Sequence, residues 1–228
     1  AKEHLKDSTG GRTMAEQVIK NNVAEITGEV CSEFVYSHEV FGERFYMTEV
    51  KLPRLSDFYD YIPLMVSERL LNVEEPCRGR IIHVIGQFRS YNKHLEGHSK
   101  LVLSVFAREV EFPEAAEEES PNNIYLDGYI CKKPVYRKTP LGREITDILL
   151  AVNRPYNKSD YIPAIAWGRN ARFAGGLQVG DRVRVWGRMQ SRSYQKRLSE
   201  NLAEQRVAYE VSVAKLEKVV EAEFQERA

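Results

Sequence analysis

The stretch DYIPAIAWGRNARFAGGLQVGDRVRVWGR, residues Asp160 to Arg188, decides the fold expected for this chain. It opens with the apolar run YIPAIAW, closes with the alternating run DRVRVWGR, and holds one helix-like segment, GRNARFAGGL, between them. Apolar residues at every second position indicate a strand with one buried face. The pair Gly175-Gly176 is typical of a helix end. The stretch therefore predicts a strand, a short helix and a second strand.

Three more strand-like runs surround this stretch. NIYLDGYI and REITDILLAVNR precede it, RVAYEVSVAKLEKV follows it, and the turn signals TPLGRE and NRPYNKSD separate the earlier runs. Five strands with one helix between the third and fourth predict an OB-fold, a five-stranded Greek-key barrel. Alternation alone would suit an SH3-like barrel equally well, and the position of the helix favours the OB-fold. The predicted fold class is all-β.

The chain repeats itself with an offset of about 100 residues. DYIP stands at 60–63 and again at 160–163, and AEITGEVC (24–31) lies over IYLDGYIC (124–131). Further along, RSYNK (89–93) lies over RSYQK (192–196), so that Tyr91 is matched with Tyr194. Punctuating residues in the same order predict two copies of one domain, hence two tandem OB-folds, each with its own short helix. The predicted organisation is an N-terminal extension (1–21), a first domain (22–112), a linker (113–121), a second domain (122–220) and a C-terminal tail (221–228).

Charge differs between the two copies, although the whole chain is neutral. Residues 1–120 carry 14 basic and 21 acidic side chains, whereas residues 121–228 carry 19 basic and 12 acidic ones. A basic second half predicts an anionic partner for the second domain. The acidic first domain is expected mainly to complete an assembly.

Composition narrows the class of protein. No run reaches the roughly 18 apolar residues that a membrane span needs, and the stretch AKEHLKDSTGG at the N-terminus lacks the apolar core of a secretory signal. Three scattered cysteines do not form a disulfide framework. These features predict a cytoplasmic protein without contact to a membrane.

The second copy resembles the bacterial single-stranded DNA-binding protein family. NNIYLDGYI and DYIPAIAWGRNARFAGGLQVGDRVRVWGRMQSRSY carry the likeness, with the aromatic-Gly-Arg step at Trp167 and the GD.V.V.G pattern after the helix. The resemblance implies a protein that coats single-stranded DNA largely without sequence preference, in replication, recombination or repair. It also implies four OB-folds per assembly, which two copies of this chain would supply as a homodimer. The family's glycine-rich acidic tail is not matched by EAEFQERA, so the likeness does not extend to recruitment of replication proteins.

Stacking rings and cations are the side chains that such binding needs, because rings lie against bases and cations neutralise phosphates. The resemblance places stacking rings at Tyr156, Tyr161, Trp167 and Tyr194. Cations surround these rings and Tyr136 in the sequence. The predicted nucleic-acid-binding set is Tyr136, Arg137, Lys138, Arg154, Tyr156, Lys158, Tyr161, Trp167, Arg169, Arg172, Arg184, Arg188, Arg192, Tyr194 and Lys196.

Two rings, Trp186 outside the predicted set and Tyr161 within it, have a structural alternative. Trp186 points either into the barrel core or outward, and Tyr161 has a packing alternative because Tyr61 stands at the same place in the acidic copy. Trp167 is the stronger candidate, since its counterpart in the first copy is Ser67.

An enzyme is the competing class. His94 and His98 in HLEGH would share a metal only on a helix, and Gly97 argues against one. The second copy lacks the clustered carboxylates of a nuclease and a glycine-rich phosphate loop. The expectation is a binding protein without a cofactor, metal or catalytic residue. A primosome-type or RNA-binding OB-fold module stays open as the alternative, because DNA and RNA differ at the 2′-hydroxyl.

Overall fold

The computed structural model describes residues 20–220 except 96, 118, 120, 200 and 201, and leaves the side chains of 93–95 and 98–100 undescribed. The expected tail and nearly all of the N-terminal extension lie outside the described residues, as do the side chains of His94 and His98. Strands dominate, and the all-β prediction is confirmed. No helix in the described part is long and apolar enough to cross a membrane.

Twelve strands form two barrels of the same design. The first barrel contains β1 (Asn22–Val30), β2 (Val35–Val40), β3 (Glu43–Pro53), β4 (Tyr59–Ser67), β5 (Ile81–Leu95) and β6 (His98–Glu111). The second contains β7 (Asn122–Ile130), β8 (Val135–Lys138), β9 (Glu144–Arg154), β10 (Lys158–Trp167), α1 (Gly168–Gly175), β11 (Arg182–Arg197) and β12 (Ala203–Lys218).

Strand pairing closes each barrel. In the first, β1 pairs with β3, β3 with β4, β4 in parallel with β6, β6 with β5, and β5 again with β1. The second repeats this order with β7, β9, β10, β12 and β11. This is the closed five-strand order expected of an OB-fold.

Two details of the sequence prediction were wrong. Each barrel has a sixth strand, β2 or β8, which pairs only with the edge of β3 or β9. In addition, no helix joins β4 to β5 in the first barrel, where residues 68–80 form turns instead. The second barrel forms α1 because Ala171 and Ala174 are small enough to pack against the core. The first has ERLLNVEEPCRGR, in which Asn72 Oδ1 accepts from the N–H of Glu74 and Pro76 ends any helix.

Glycine permits a close strand crossing at the same place in both barrels. A Cβ on Gly187 would lie 2.1 Å from the carbonyl oxygen of Ser212, and one on Gly86 would lie 2.1 Å from that of Phe106. Each glycine sits at a bulge, where the long strand bends from one sheet of the barrel to the other.

The two barrels share a sheet and two reciprocal buried contacts. β1 and β7 pair antiparallel, so the sheets of both barrels are continuous. Asp60 Oδ1 accepts from the N–H of Ser191 at 2.7 Å, and Asp160 Oδ1 accepts from the N–H of Ser90 at 2.8 Å. Both aspartates are fully buried. The repeated DYIP thus places one carboxylate of each barrel against the other barrel.

These contacts correct the register of the repeat. Asn22 exchanges two hydrogen bonds with the backbone of Phe88, and Asn122 does the same with Met189. The structural offset on this strand is therefore 101 residues, so Tyr91 is equivalent to Arg192 and not to Tyr194. The shared letters RSY are a local coincidence of sequence.

We expect Asp160→Ala to lower the free energy of unfolding by about 3–5 kcal/mol, because Arg154 and the N–H of Ser90 would lose their carboxylate partner. Asp147→Ala is the matched control, since the Asp147–Arg137 pair is 41% and 49% exposed, and its loss should cost less than about 1 kcal/mol. Chemical denaturation of both variants measures the difference. Equal losses would contradict a structural role for the buried aspartate.

Candidate nucleic-acid interface

The β9–β10 hairpin presents Tyr156 at its tip. Tyr156 is 88% exposed, and its φ of 63° and that of Asn157, 54°, bring the chain round through the left-handed region. A left-handed conformation is costly for a tyrosine. Arg154 and Lys158 stand opposite each other on the two strands at the base of this loop. The hairpin thus holds an exposed ring between two cations.

Two further rings lie along the outer face of β10. Tyr161 and Trp167 are 43% and 37% exposed. Ile162, Ala164 and Ala166 between them face the core, and Ile165, on the same side of the strand as the two rings, is buried as well. At a strand rise of about 3.3 Å per residue, their Cα atoms are roughly 20 Å apart. Trp167 ends the strand and Gly168 turns into α1 with a φ of 53°, which favours glycine. The aromatic-Gly step is thus a backbone requirement as well as a ring position.

Tyr194 lies on the long β11–β12 hairpin. It stands opposite Arg206 on β12, and the guanidinium carbon of Arg192 lies 5.9 Å from the centre of the Tyr194 ring. The ring is 39% exposed. This predicted ring is therefore accessible and lies beside cations.

Tyr136 has a structural partner. Its hydroxyl donates to Glu144 Oε1 at 2.5 Å, and this hydrogen bond raises the pKa of the phenol. Glu144 also pairs with Arg172 Nε at 3.2 Å on α1, and the Tyr136 side chain packs beside Gly175. These contacts tie the β8–β9 hairpin to the helix, so Tyr136 and Arg172 hold structure together in addition to any ligand.

The predicted cations separate into paired and unpaired groups. Arg137, Arg154, Arg172, Arg184, Arg188 and Arg192 each lie within 4.0 Å of a carboxylate. Among the described residues, no ion pair engages Lys138, Lys158, Arg169 or Lys196. The unpaired cations are the ones whose charge is available to an anion without breaking an existing contact.

Two predicted arginines lie apart from the β9–β10 surface. Arg184 is on the outer side of β11, and Arg188 reaches Asp60 at the junction of the barrels, 3.4 Å from Oδ2. Trp186 shares the outer side with Arg184, since its ring lies 5.2 Å from that of Tyr125 and beneath Lys215 Nζ at 4.6 Å. Its outward position answers the alternative left open by the sequence.

The binding set predicted from the sequence contains no residue of the first barrel. Ser90, Tyr91 and Asn92 line a cavity together with Arg154, Lys158 and Tyr161 of the second barrel. The repeated DYIP was the available signal, because it marks the contact between the barrels. Phe41 and Phe58 of the first barrel are also largely exposed. Among the described residues, no group of three or more metal-ligating side chains is found.

Comparison with known proteins finds a sequence similarity in the second barrel. Residues 121–219 match the model of the single-strand binding protein family. Two relatives are the single-stranded DNA-binding protein of Halalkalibacterium halodurans, 35% identical over 80 residues, and single-stranded DNA-binding protein A of Bacillus subtilis, 35% identical over 81 residues. Each alignment covers 32% of this chain, and 48% and 47% of the respective relative. The chain thus spans about half the length of the curated relatives it matches.

One solved structure covers both barrels. A deletion mutant of the single-stranded DNA binding protein from Thermus aquaticus superposes with a TM-score of 0.70 at 20% identity, over 90% of this chain and 97% of that one. At this identity the likeness shows the fold alone, and it extends across the pair of barrels.

Proposed function

We propose that this chain coats single-stranded DNA largely without sequence preference, in replication, recombination or repair, because residues 121–219 match the model of the single-strand binding protein family. Residues 22–112 and 122–220 are its two OB-fold domains, joined by the linker 113–121. Within the proposal the chain is a binding protein and not an enzyme. A labelled oligonucleotide should therefore stay intact during incubation with Mg²⁺.

One observation carries the proposal: three outward rings follow the β9–β10 hairpin in the basic half of the chain. Tyr156, Tyr161 and Trp167 are exposed on one continuous pair of strands. Lys158 and Arg169 stand next to this path without an ion pair among the described residues. Rings that accept any base, next to cations that accept phosphate, bind a single strand without reading its sequence.

The outer side of the shared sheet supports a homodimer. Strands β5, β1, β7 and β11 run side by side there, and half-buried Val23, Ile85, Tyr125 and Trp186 point outward. The half in the first barrel carries Glu25, Glu29, Glu109 and Glu111, whereas the half in the second carries Arg182, Arg184 and Lys215, which pair within the chain with Asp127 and Glu217. A second copy related by a two-fold axis would place the acidic half of each chain over the basic half of the other.

Replacing the Trp167 ring tests the stacking role. We expect Trp167→Ala to weaken binding of oligo-dT by roughly 1–3 kcal/mol with the fold intact, because the ring is exposed at the end of a strand. Fluorescence anisotropy of a labelled oligo-dT measures the affinity, and competition with oligo-rU tests the RNA-binding alternative. Tyr36→Ala, which removes an exposed ring of the first barrel, is the control. Unchanged affinity in a folded Trp167→Ala protein would refute the assignment.

The two groups of arginines give a second test. Arg169→Gln should reduce the slope of log affinity against log salt by about 0.7, the value for one phosphate contact on a single strand. Arg137→Gln should change it less, because Asp147 already holds that guanidinium at 2.9 Å. Titrations at several salt concentrations report both slopes. The distinction between paired and unpaired cations is wrong if Arg137→Gln has the larger effect.

The homodimer is tested at the outer side of the sheet. Light scattering at micromolar concentration should give twice the mass of the chain, and Ile85→Arg should shift it towards the monomer by placing a charge among apolar side chains. Leu141→Arg, at a site 86% exposed on the β8–β9 turn, should leave the mass unchanged. A wild-type protein that is strictly monomeric would rule out the dimer.

A further inference from the structure

A cavity of about 210 Å³ lies at the junction between the two barrels. Ser90, Tyr91 and Asn92 of β5 form one wall, and Arg154, Lys158 and Tyr161 of the β9–β10 hairpin form the other. We propose that this cavity holds one nucleotide of the bound strand, with its base against the Tyr91 ring and its phosphodiester beside Arg154 and Lys158. This inference rests on the proposed binding of single-stranded DNA and adds the first barrel to the binding surface.

The walls of the cavity are held rigidly with respect to each other. The Ser90 N–H donates to Asp160 Oδ1 at 2.8 Å, and the Tyr161 N–H donates to Ser90 Oγ at 2.7 Å. Both bonds cross the junction, and Ser90 and Asp160 are buried. Tyr91 and Tyr161, each next to one of these residues, are 42% and 43% exposed. The junction therefore fixes two accessible rings, one from each barrel, at a single site.

Positive charge exceeds negative charge around the cavity. Arg154 and Lys158 line it, and Arg89 lies close behind, while the nearby carboxylate in these contacts is Asp160. Burial, followed by repulsion from Arg108 and Arg154, lowers the pKa of the Arg89 guanidinium to about 10. Arg89 donates to the amide oxygen of Gln87 and stacks on Phe106. Several cations held near one carboxylate favour an added anion.

Among the described residues, the guanidinium of Arg154 is less fully hydrogen-bonded than that of Arg54, its equivalent in the first barrel. Arg154 Nε lies 3.1 Å from Asp160 Oδ2, but the geometry is not that of a hydrogen bond, and neither buried atom has another partner. At the second contact between the barrels, where Asp60 meets Ser191, Arg54 donates from Nε and Nη2 to Asp60 and from Nη2 also to the carbonyl oxygen of Ser191. The guanidinium of Arg54 is thus occupied, whereas that of Arg154 is held by a poorly directed ion pair.

The cavity side chains differ from those at the equivalent positions of the other barrel, so the shared fold alone does not require them. The residue equivalent to Tyr91 is Arg192, which is held by Glu210 at 3.3 Å, and the residue equivalent to Lys158 is Phe58. The contact at Ser90 therefore brings two accessible rings, Tyr91 and Tyr161, together with Lys158, which has no ion pair among the described residues. The contact at Ser191 does not. The cavity is smaller than the roughly 300–1,000 Å³ of a pocket for a whole small molecule, which suits one unit of a longer chain.

The test uses the full chain, a labelled oligo-dT and a series of salt concentrations. Tyr91→Leu should weaken binding roughly 5- to 150-fold, the effect of losing one stacked base. Lys158→Gln should reduce the salt slope by about 0.7. Tyr36→Leu is the control, because Tyr36 is an exposed first-barrel ring that does not line the cavity. Ultraviolet cross-linking of an oligonucleotide that contains 5-iododeoxyuridine should label the peptide that contains Tyr91.

The outcomes separate the two proposals. If Trp167→Ala weakens binding but Tyr91→Leu and Lys158→Gln match the wild type, the cavity inference is overturned and the proposed function stands. An equal loss in Tyr36→Leu and Tyr91→Leu would also overturn the inference, since the effect would not belong to the cavity. If the wild-type chain does not bind oligo-dT, the proposed function fails and the inference falls with it.

Discussion

The reciprocal contact between each buried aspartate and a serine of the other barrel is the constraint on which the arrangement depends. A carboxylate without partners is costly to bury, so Asp60 and Asp160 depend on the N–H groups of Ser191 and Ser90 and on the guanidinium groups of Arg54 and Arg154. The pairing of β1 with β7 sets the register of the two sheets, and the aspartate contacts attach the barrels to each other at further points. With both aspartates in place, a shift of one barrel would leave two buried carboxylates without their hydrogen-bond partners.

That constraint leaves the rest of each copy free to diverge. The two barrels keep the same strand order, the same bulged glycines and the same asparagine that holds the long strand, Asn22 or Asn122. Between these points the copies differ in charge and in the connection before the long strand. Trp167 and α1 exist only in the second barrel, where Ser67 and a series of turns stand in the first. A duplicated scaffold therefore carries one basic copy without requiring the other to match it.

The sequence predicted features that are local and periodic. The apolar run YIPAIAW identified β10, the resemblance to the family identified Trp167 as a ring position, and the two glycines identified the end of α1. It missed β8 because VYRK is four exposed residues that form a strand only by pairing with β9. It misaligned Tyr91 with Tyr194 because identical letters outweighed the backbone contacts that set the register. The cavity could not be predicted, because Ser90 and Asp160 are 70 residues apart and meet only after both barrels have folded.

Joining the two copies in one chain also decides which surfaces depend on concentration. Contacts within a chain form at an effective concentration set by the linker, so the junction and its cavity are present in every folded molecule. The outer side of the sheet is different, because in the proposed homodimer a second copy would cover it only when the protein concentration exceeds the dissociation constant of the dimer. The rings of β10 and the junction therefore remain together on one molecule at any dilution. The proposed dimer would add a second such surface and, under the proposed function, would cover a greater length of single-stranded DNA with higher avidity.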